Sequence, residues 1–186
     1  YIDMTTMIGE MFGTKVYVSR RQGEYGPSVS TSFQCKELAE FLIKECGPNS
    51  FEKKVPDFIF TAPLECKAAC IQGYMDGDGN INCDKGHHEI RGCSRSQQLI
   101  KDMGLLFNYF DIFATFLECI RQKKPLYHFA IAHGYASLYQ KHIGSILKKD
   151  KLQELCDYGN RENAHSLSND VDKIEGLGEI IAKCGK

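Results

Sequence analysis

The alternation of two hydrophobic periods constrains this chain more than any single motif. Apolar residues recur at helical spacing over 3–12, 35–46, 63–75, 95–110, 135–144 and 148–158, with a weaker run at 173–183. Between these lie stretches of period two: "KVYVSRR" (15–21), "PSVSTSF" (27–33), "GNINCDK" (79–85), "HEIRGC" (88–93), "IFATFLECIR" (112–121) and "PLYHFAIA" (125–132). Short polar turns separate the members of each pair, so they predict β-hairpins. From Pro63 onward the order is helix, hairpin, helix, hairpin, helix; before Pro63 it is helix, hairpin, helix. An α+β fold with antiparallel sheets is expected.

The shorter series echoes the longer one. A shift of 98 lays Phe12 on Phe110, Gly13 on Asp111 and Val18 on Phe116, and a shift of 97 lays Leu42 on Tyr139, Cys46 on Ile143 and Gly47 on Gly144. Identities are few and a helix plus a hairpin is a common unit, so pattern alone leaves repeat and coincidence both open. As a repeat, the first copy lacks its opening helix and hairpin, and the chain begins partway through it.

With 186 residues, 42% of them hydrophobic, the chain can bury a core as one domain or two small ones. No window approaches eighteen consecutive apolar residues, so no membrane span is expected. The opening "YIDMTTMIGEMFG" carries acids and no basic region, unlike a signal peptide. The cysteines number nine, an odd count, and most sit inside apolar runs where a free thiol behaves as a small hydrophobe. An intracellular, non-secreted protein is expected. Cys66 and Cys70 are the nearest approach to zinc spacing, but C-x3-C without a neighbouring His pair does not predict a zinc site. A net charge of −1 counts against a uniformly basic nucleic-acid binder. It is compatible with a basic face set against acidic stretches such as "ELAEFLIKE" and "KLQELCDYGNREN".

One stretch carries chemistry: "IQGYMDGDGNI", Ile71 to Ile81. An EF-hand beginning at Asp76 would need glycine at its sixth position and glutamate at its twelfth, where Ile81 and His87 stand. That reading fails. Asp-Gly-Asp-Gly on its own is an ordinary turn.

The layout around it is not ordinary. The stretch "KKVPDFIFTAPLECKAACIQGYMDGDGNI", then "IRGCSRSQQLIKDMGLLFNYFDI" and "KPLYHFAI", resembles the LAGLIDADG (dodecapeptide) homing endonucleases, especially the endonuclease domains carried inside inteins. The resemblance covers roughly 4–145, with Ile71 to Gly79 on the signature itself; Gln72 and Tyr74 are mild departures. It implies αββαββα repeats whose sheets form a DNA-binding saddle. The corresponding division is 1–60 as the later part of a first repeat without its signature helix, 61–147 as a second repeat with it, and 148–186 as a helical extension.

The resemblance also implies site residues. Asp78 binds a divalent ion, magnesium with manganese as substitute, shared with the scissile phosphates, and the Gly77 carbonyl assists. Asp76 caps or orients the helix end. Gly73 lets two signature helices approach closely, with Ile71, Tyr74 and Met75 flanking that seam. A basic residue just before the last strand, Lys124 in preference to Lys123, polarises the attacking water or neutralises the phosphate. With Ile81 and Cys83 turned inward, strand alternation points Asn80, Asn82 and Asp84 outward, and Glu89 and Arg91 likewise around Ile90. Arg20, Arg21, Lys85, Arg91, Lys123 and Lys124 form the expected DNA-contacting set. His87 and His88 fall at a hairpin tip, as backbone contacts or simply exposed.

The expected function is site-specific, metal-dependent hydrolysis of double-stranded DNA by an intein's endonuclease domain. A DNA-binding remnant without activity and an RNA-splicing maturase are the alternatives; the hairpins over 79–93 lack the aromatic side chains that stack RNA bases. Residue 1 is neither Cys nor Ser and the end "AKCGK" lacks His-Asn, so self-splicing by this chain is not expected. With one signature, activity of the chain alone is in doubt. The helix over 70–76 is expected to pair with a second copy or a complementing fragment.

Overall fold

In the computed structural model, residues 2–23, 26–84 and 86–162 are described. The weak helical run at 173–183, Cys184 and the expected DNA contact Lys85 lie outside the described residues.

Helix α1 (Ile2–Phe12) leads into a hairpin of β1 (Val16–Gly23) and β2 (Gly26–Phe33), followed by α2 (Lys36–Cys46). A linker and the short α3 (Asp57–Thr61) precede α4 (Leu64–Gly77), β3 (Asn80–Asn82) and β4 (Glu89–Ser94). Then come α5 (Gln97–Asn108), β5 (Thr115–Arg121), β6 (Lys124–Ala132), a 3-10 turn at His133–Tyr135, α6 (Ala136–His142) and α7 (Lys149–Glu162). The expected helices and hairpins within the described residues are all present. α3 was not anticipated, since five residues are too few to show a period. β3 ends at Asn82 rather than 85, because the Asn82 Oδ1 accepts the Asp84 N–H at 3.1 Å and starts the turn.

All strand pairs are antiparallel: β1 with β2 in one sheet, and β3-β4-β6-β5 in the other. Gly23 pairs with Gly26, and 98 residues on Arg121 pairs with Lys124 across a two-residue turn.

The core lies on one face of the four-stranded sheet. Ile71 and Met75 of α4, Met103, Leu106 and Phe107 of α5, Ile90, Phe129 and Ile131 of the sheet, Tyr139 of α6 and Leu152 and Leu155 of α7 are buried there. Burying one such side chain contributes roughly 1.5–3 kcal/mol. The Phe107 ring meets Phe129 edge-on at 5.1 Å. The linker is pinned to α5: Ser96 donates to the Lys53 carbonyl, and the Val55 N–H donates to the buried Asp102 carboxylate at 3.0 Å. The first unit contributes no residue to this core. Phe41, Leu42 and Ile43 of α2 and Met7 and Met11 of α1 are exposed, since a two-stranded hairpin offers too little surface to cover two helices.

No helix among the described residues is long and apolar enough to cross a membrane. The described cysteines are free thiols. Burial, first among the causes, pushes Cys46, Cys70, Cys83 and Cys156 above the usual thiol range.

Candidate nucleic-acid interface and metal site

The signature segment is divided between two faces of α4. Lys67, Ile71 and Met75, four apart, are buried against the chain's own core. Opposite them Cys66, Ala69, Gly73 and Gly77 are exposed, and a Cβ added at Gly73 or Gly77 would meet nothing within 4 Å. Gly73 lies on this exposed face, whereas Ile71 and Met75, expected to flank the seam with it, are buried on the other side, since two positions along a helix turn a side chain to the far side. Tyr74 lies on the sheet flank, its ring 6.3 Å from Phe129 and its hydroxyl donating to the Cys93 carbonyl at 3.0 Å. Burial above all, then the Cys93 thiol and the Asp78 carboxylate, raises the Tyr74 phenol well above its usual range, so it stays a neutral donor.

The end of α4 is fixed from elsewhere in the chain. Ser145 donates its hydroxyl to the Asp76 carboxylate, and the Ile146 N–H donates to the same group at 2.9 Å. Lys148 Nζ donates to the carbonyls of Met75 (2.6 Å) and Asp76 (2.7 Å), a cation at the negative end of the helix dipole. Asp76 therefore orients the helix end, as expected. Ser145 and Lys148 were missed because they lie some seventy residues away, and no local signal joins them to the signature. Gly79 makes the exit possible: a Cβ there would stand 2.7 Å from the Met75 carbonyl oxygen.

Asp78 follows the last helical residue and is exposed. Among the described residues its carboxylate has no hydrogen bond and no ion pair. No group of three or more His, Cys, Asp or Glu side chains that could hold a metal occurs among the described residues. A divalent ion at Asp78 would take its other ligands from water and nucleic-acid phosphates, a common way of holding magnesium. The free hard oxygens of Asp78, with the adjacent Gly77 carbonyl, fit that ion.

Register defines the open face of the four-stranded sheet. Ile81, Ile90 and Ile131 stand in one inward row, and Gly92, Phe129 and Phe116 in the next. The outward rows are Asn82, Glu89 and Ala132; Asn80, Arg91, Ala130 and Thr115; Cys93, His128 and Leu117; and, toward the turn, Leu126 with Cys119 and Lys124 with Arg121. Asn80, Asn82 and Arg91 thus lie where alternation put them, whereas Asp84 is in the loop beyond the strand. Arg91 is held by Glu89 at 2.6 Å. Arg121 and His128 share this face and were missed, although alternation in "TFLECIR" and "KPLYHFAI" with the phenylalanines inward would have found them. His87 is exposed, while the His88 ring stacks on Tyr158 of α7 at 3.4 Å.

The two basic pairs separate. On the first hairpin, α1 covers the Val16 side of β1, since a Cβ on Gly9 would lie 3.9 Å from Val16 Cγ2. Arg20 shares that side by alternation, and Arg21 lies on the opposite one with Tyr17 and Ser19. Lys123 occupies the β5–β6 turn, where both Gln122 (φ 53°) and Lys123 (φ 61°) are left-handed. Such turns match hairpin twist but strain residues other than glycine. Arg95 holds this one, its Nη1 donating to the carbonyls of Arg121, Lys124 and Pro125 at 3.1, 2.8 and 2.9 Å. Lys124 lies four residues along β6 from His128, the partner of the Cys93 that Tyr74 reaches, about 13 Å of extended chain. Its Nζ sits 5.4 Å from the Phe51 ring centre.

Comparison with known proteins agrees with this geometry. Residues 65–145 match the LAGLIDADG-like domain. The DNA-directed RNA polymerase subunit Rpo1C of Methanocaldococcus jannaschii is 34% identical over 152 residues, 80% of this chain and 16% of that protein. Elongation factor 2 of Methanopyrus kandleri is 27% identical over 128 residues, 69% of this chain and 9% of that protein. The chain thus spans a small part of the length of these relatives. A crystal structure of an I-DmoI variant, in complex with its target DNA in the presence of magnesium, superposes with a TM-score of 0.54 at 14% identity, covering 76% of this chain and 70% of that one. Residues 65–145 thus form a LAGLIDADG-like domain, and the chain has the fold of that homing endonuclease.

Proposed function

We propose that the chain is the site-specific DNA endonuclease domain of an intein, hydrolysing phosphodiester bonds of double-stranded DNA with magnesium or manganese. The observation that carries this reading is Asp78: an exposed carboxylate without partners, at the end of a signature helix and beside a sheet whose open face bears Arg91, Arg121 and Lys124. An RNA polymerase subunit and a translation factor share only this segment with the chain, at 16% and 9% of their lengths, as expected of an element inserted into unrelated hosts. The RNA-splicing alternative gains no support, since the open face presents no aromatic ring on β3 or β4.

A divalent ion held by Asp78 and the Gly77 carbonyl would supply Lewis acidity for activating a water and for the charge on the leaving oxygen. The chain's own residues do the rest. Asp78 holds its oxygens free because Asp76, Ser145 and Lys148 take up the contacts of the helix end. Arg91, whose partner Asn80 stands two residues after Asp78, is the cation that register brings nearest to that turn, and Lys123 and Lys124 contact DNA phosphates near the hairpin tip. On the first hairpin, Arg21 faces the DNA rather than Arg20. Residues 1–60 act as the later part of one repeat, 61–147 as a repeat with its signature, and 148–186 as an extension. The small-residue face of α4 receives a second signature helix, from another copy or a complementing segment. The protein acts inside the cell, where its host genome lies.

Incubation with a supercoiled plasmid library of random inserts and manganese tests the proposal. Nicked or linear products from a subset of inserts, absent with Asp78→Asn, are expected. Equal cleavage by Asp78→Asn would assign the chemistry elsewhere.

A further inference from the structure

A cluster on the open sheet face is not used by the reading of Asp78. His128 lies at its centre, between Cys93 of β4 and Leu117 of β5. Its Nε2 is 3.2 Å from Cys119 Sγ, and its Nδ1 is buried without a hydrogen-bond partner among the described residues. One row along, Arg91 Nε is also buried without a partner, although its terminal nitrogen reaches Glu89. Arg121, on the same face of β5, acts on the ring electrostatically. Buried polar atoms are nearly always hydrogen-bonded, and here two that are not share one face. Among the described residues, the charged and titratable groups near the imidazole are Arg91 and Cys93 from β4 and Cys119 and Arg121 from β5, with Lys101 of α5, Glu118 of β5 and Tyr127 of its own strand lining the same cavity; Tyr74 of α4 lies beyond, its hydroxyl on the Cys93 carbonyl.

Resting on the DNA-binding reading above, the geometry points to His128 as the third cation of a phosphate-binding cluster with Arg91 and Arg121, taking up a proton when DNA seats on the sheet. In the free protein, burial first and then the two arginines hold the imidazole below its usual range, so it is neutral near pH 7. Duplex phosphates drawn to Arg91 and to Arg121 cancel their repulsion and add an attraction, which raises the ring's proton affinity in the complex. Binding is then coupled to proton uptake, and affinity rises as pH falls through the interval between the free and bound values. The gained proton sits on the imidazole, and no other bond changes. Because Cys119 sulfur can donate to the neutral ring or accept from the charged one, the pair holds the ring in place in both states.

The test is fluorescence anisotropy with a labelled mixed-sequence duplex, in EDTA and at fixed ionic strength, at about pH 6 and about pH 8. The parent should bind roughly three- to tenfold more tightly at the lower pH. His128→Asn should remove most of that ratio, whereas His142→Asn, an exposed histidine at the end of α6 and off the sheet, should keep it. A parent affinity independent of pH, or a ratio that survives His128→Asn, overturns the assignment of His128 and leaves the nuclease reading standing. Absence of duplex binding at both pH values overturns both. Circular dichroism of each variant at both pH values separates loss of binding from loss of fold; if His128→Asn unfolds, His128→Gln replaces it with the same expected outcome.

Discussion

Asp76 and Asp78 stand two residues apart and are used in opposite ways. Asp76 accepts from Ser145 and Ile146 across the α6–α7 connection, while Asp78 makes no hydrogen bond or ion pair among the described residues. The first carboxylate builds the site and the second is left for it.

A stability measurement separates the two roles. Asp76→Ala strands the Ile146 N–H and the Ser145 hydroxyl and should lower the urea unfolding free energy by about 2 kcal/mol. Asp78→Asn should stay within about 0.5 kcal/mol of the parent, as surface substitutions do. Equal losses would place Asp78 in the structural network.

The two glycines of the signature make a second contrast. Gly73 sits mid-helix in open space, so Gly73→Ala should stabilise the chain by up to about 1 kcal/mol through helix propensity. Gly79→Ala would press a methyl group into the Met75 backbone and should destabilise by more than about 2 kcal/mol. Thermal unfolding of both variants decides this. Sedimentation velocity adds the docking face: any self-association of the parent should be lost in Gly73→Leu, which blocks the approach of a second helix, and a dimer indifferent to Gly73→Leu would use another surface.

Much of the architecture was legible because helix and strand periods differ and each hairpin is bounded by turn residues. The sequence could also point to Asp78, since the signature placed it where a helix meets a hairpin. What it could not show was long-range. The contacts of Ser145 and Lys148 with α4 and the pinning of the linker by Ser96 and Asp102 join residues far apart in the chain. The separation of Arg20 from Arg21 needed to know which side of β1 carries α1. Ile71 was read as seam because it is apolar, yet the exposed side of α4 is lined by residues too small to register as hydrophobic.

For recognition, Arg91→Ala should weaken duplex binding, and on a guanine contact the loss should be base-specific, on the order of 1–3 kcal/mol. Lys123→Ala, at the turn, should weaken all sequences alike and lower the salt slope by about one. Unchanged salt dependence in both variants would remove the open sheet face from the interface.

The measurement that bears most directly on the central claim is manganese binding to the protein–duplex complex, followed by electron paramagnetic resonance. The parent complex should take up manganese, and Asp78→Asn should lose roughly tenfold or more of that affinity while binding the duplex equally well in EDTA. Manganese bound as tightly by Asp78→Asn as by the parent would contradict the assignment of Asp78 as the metal-holding carboxylate.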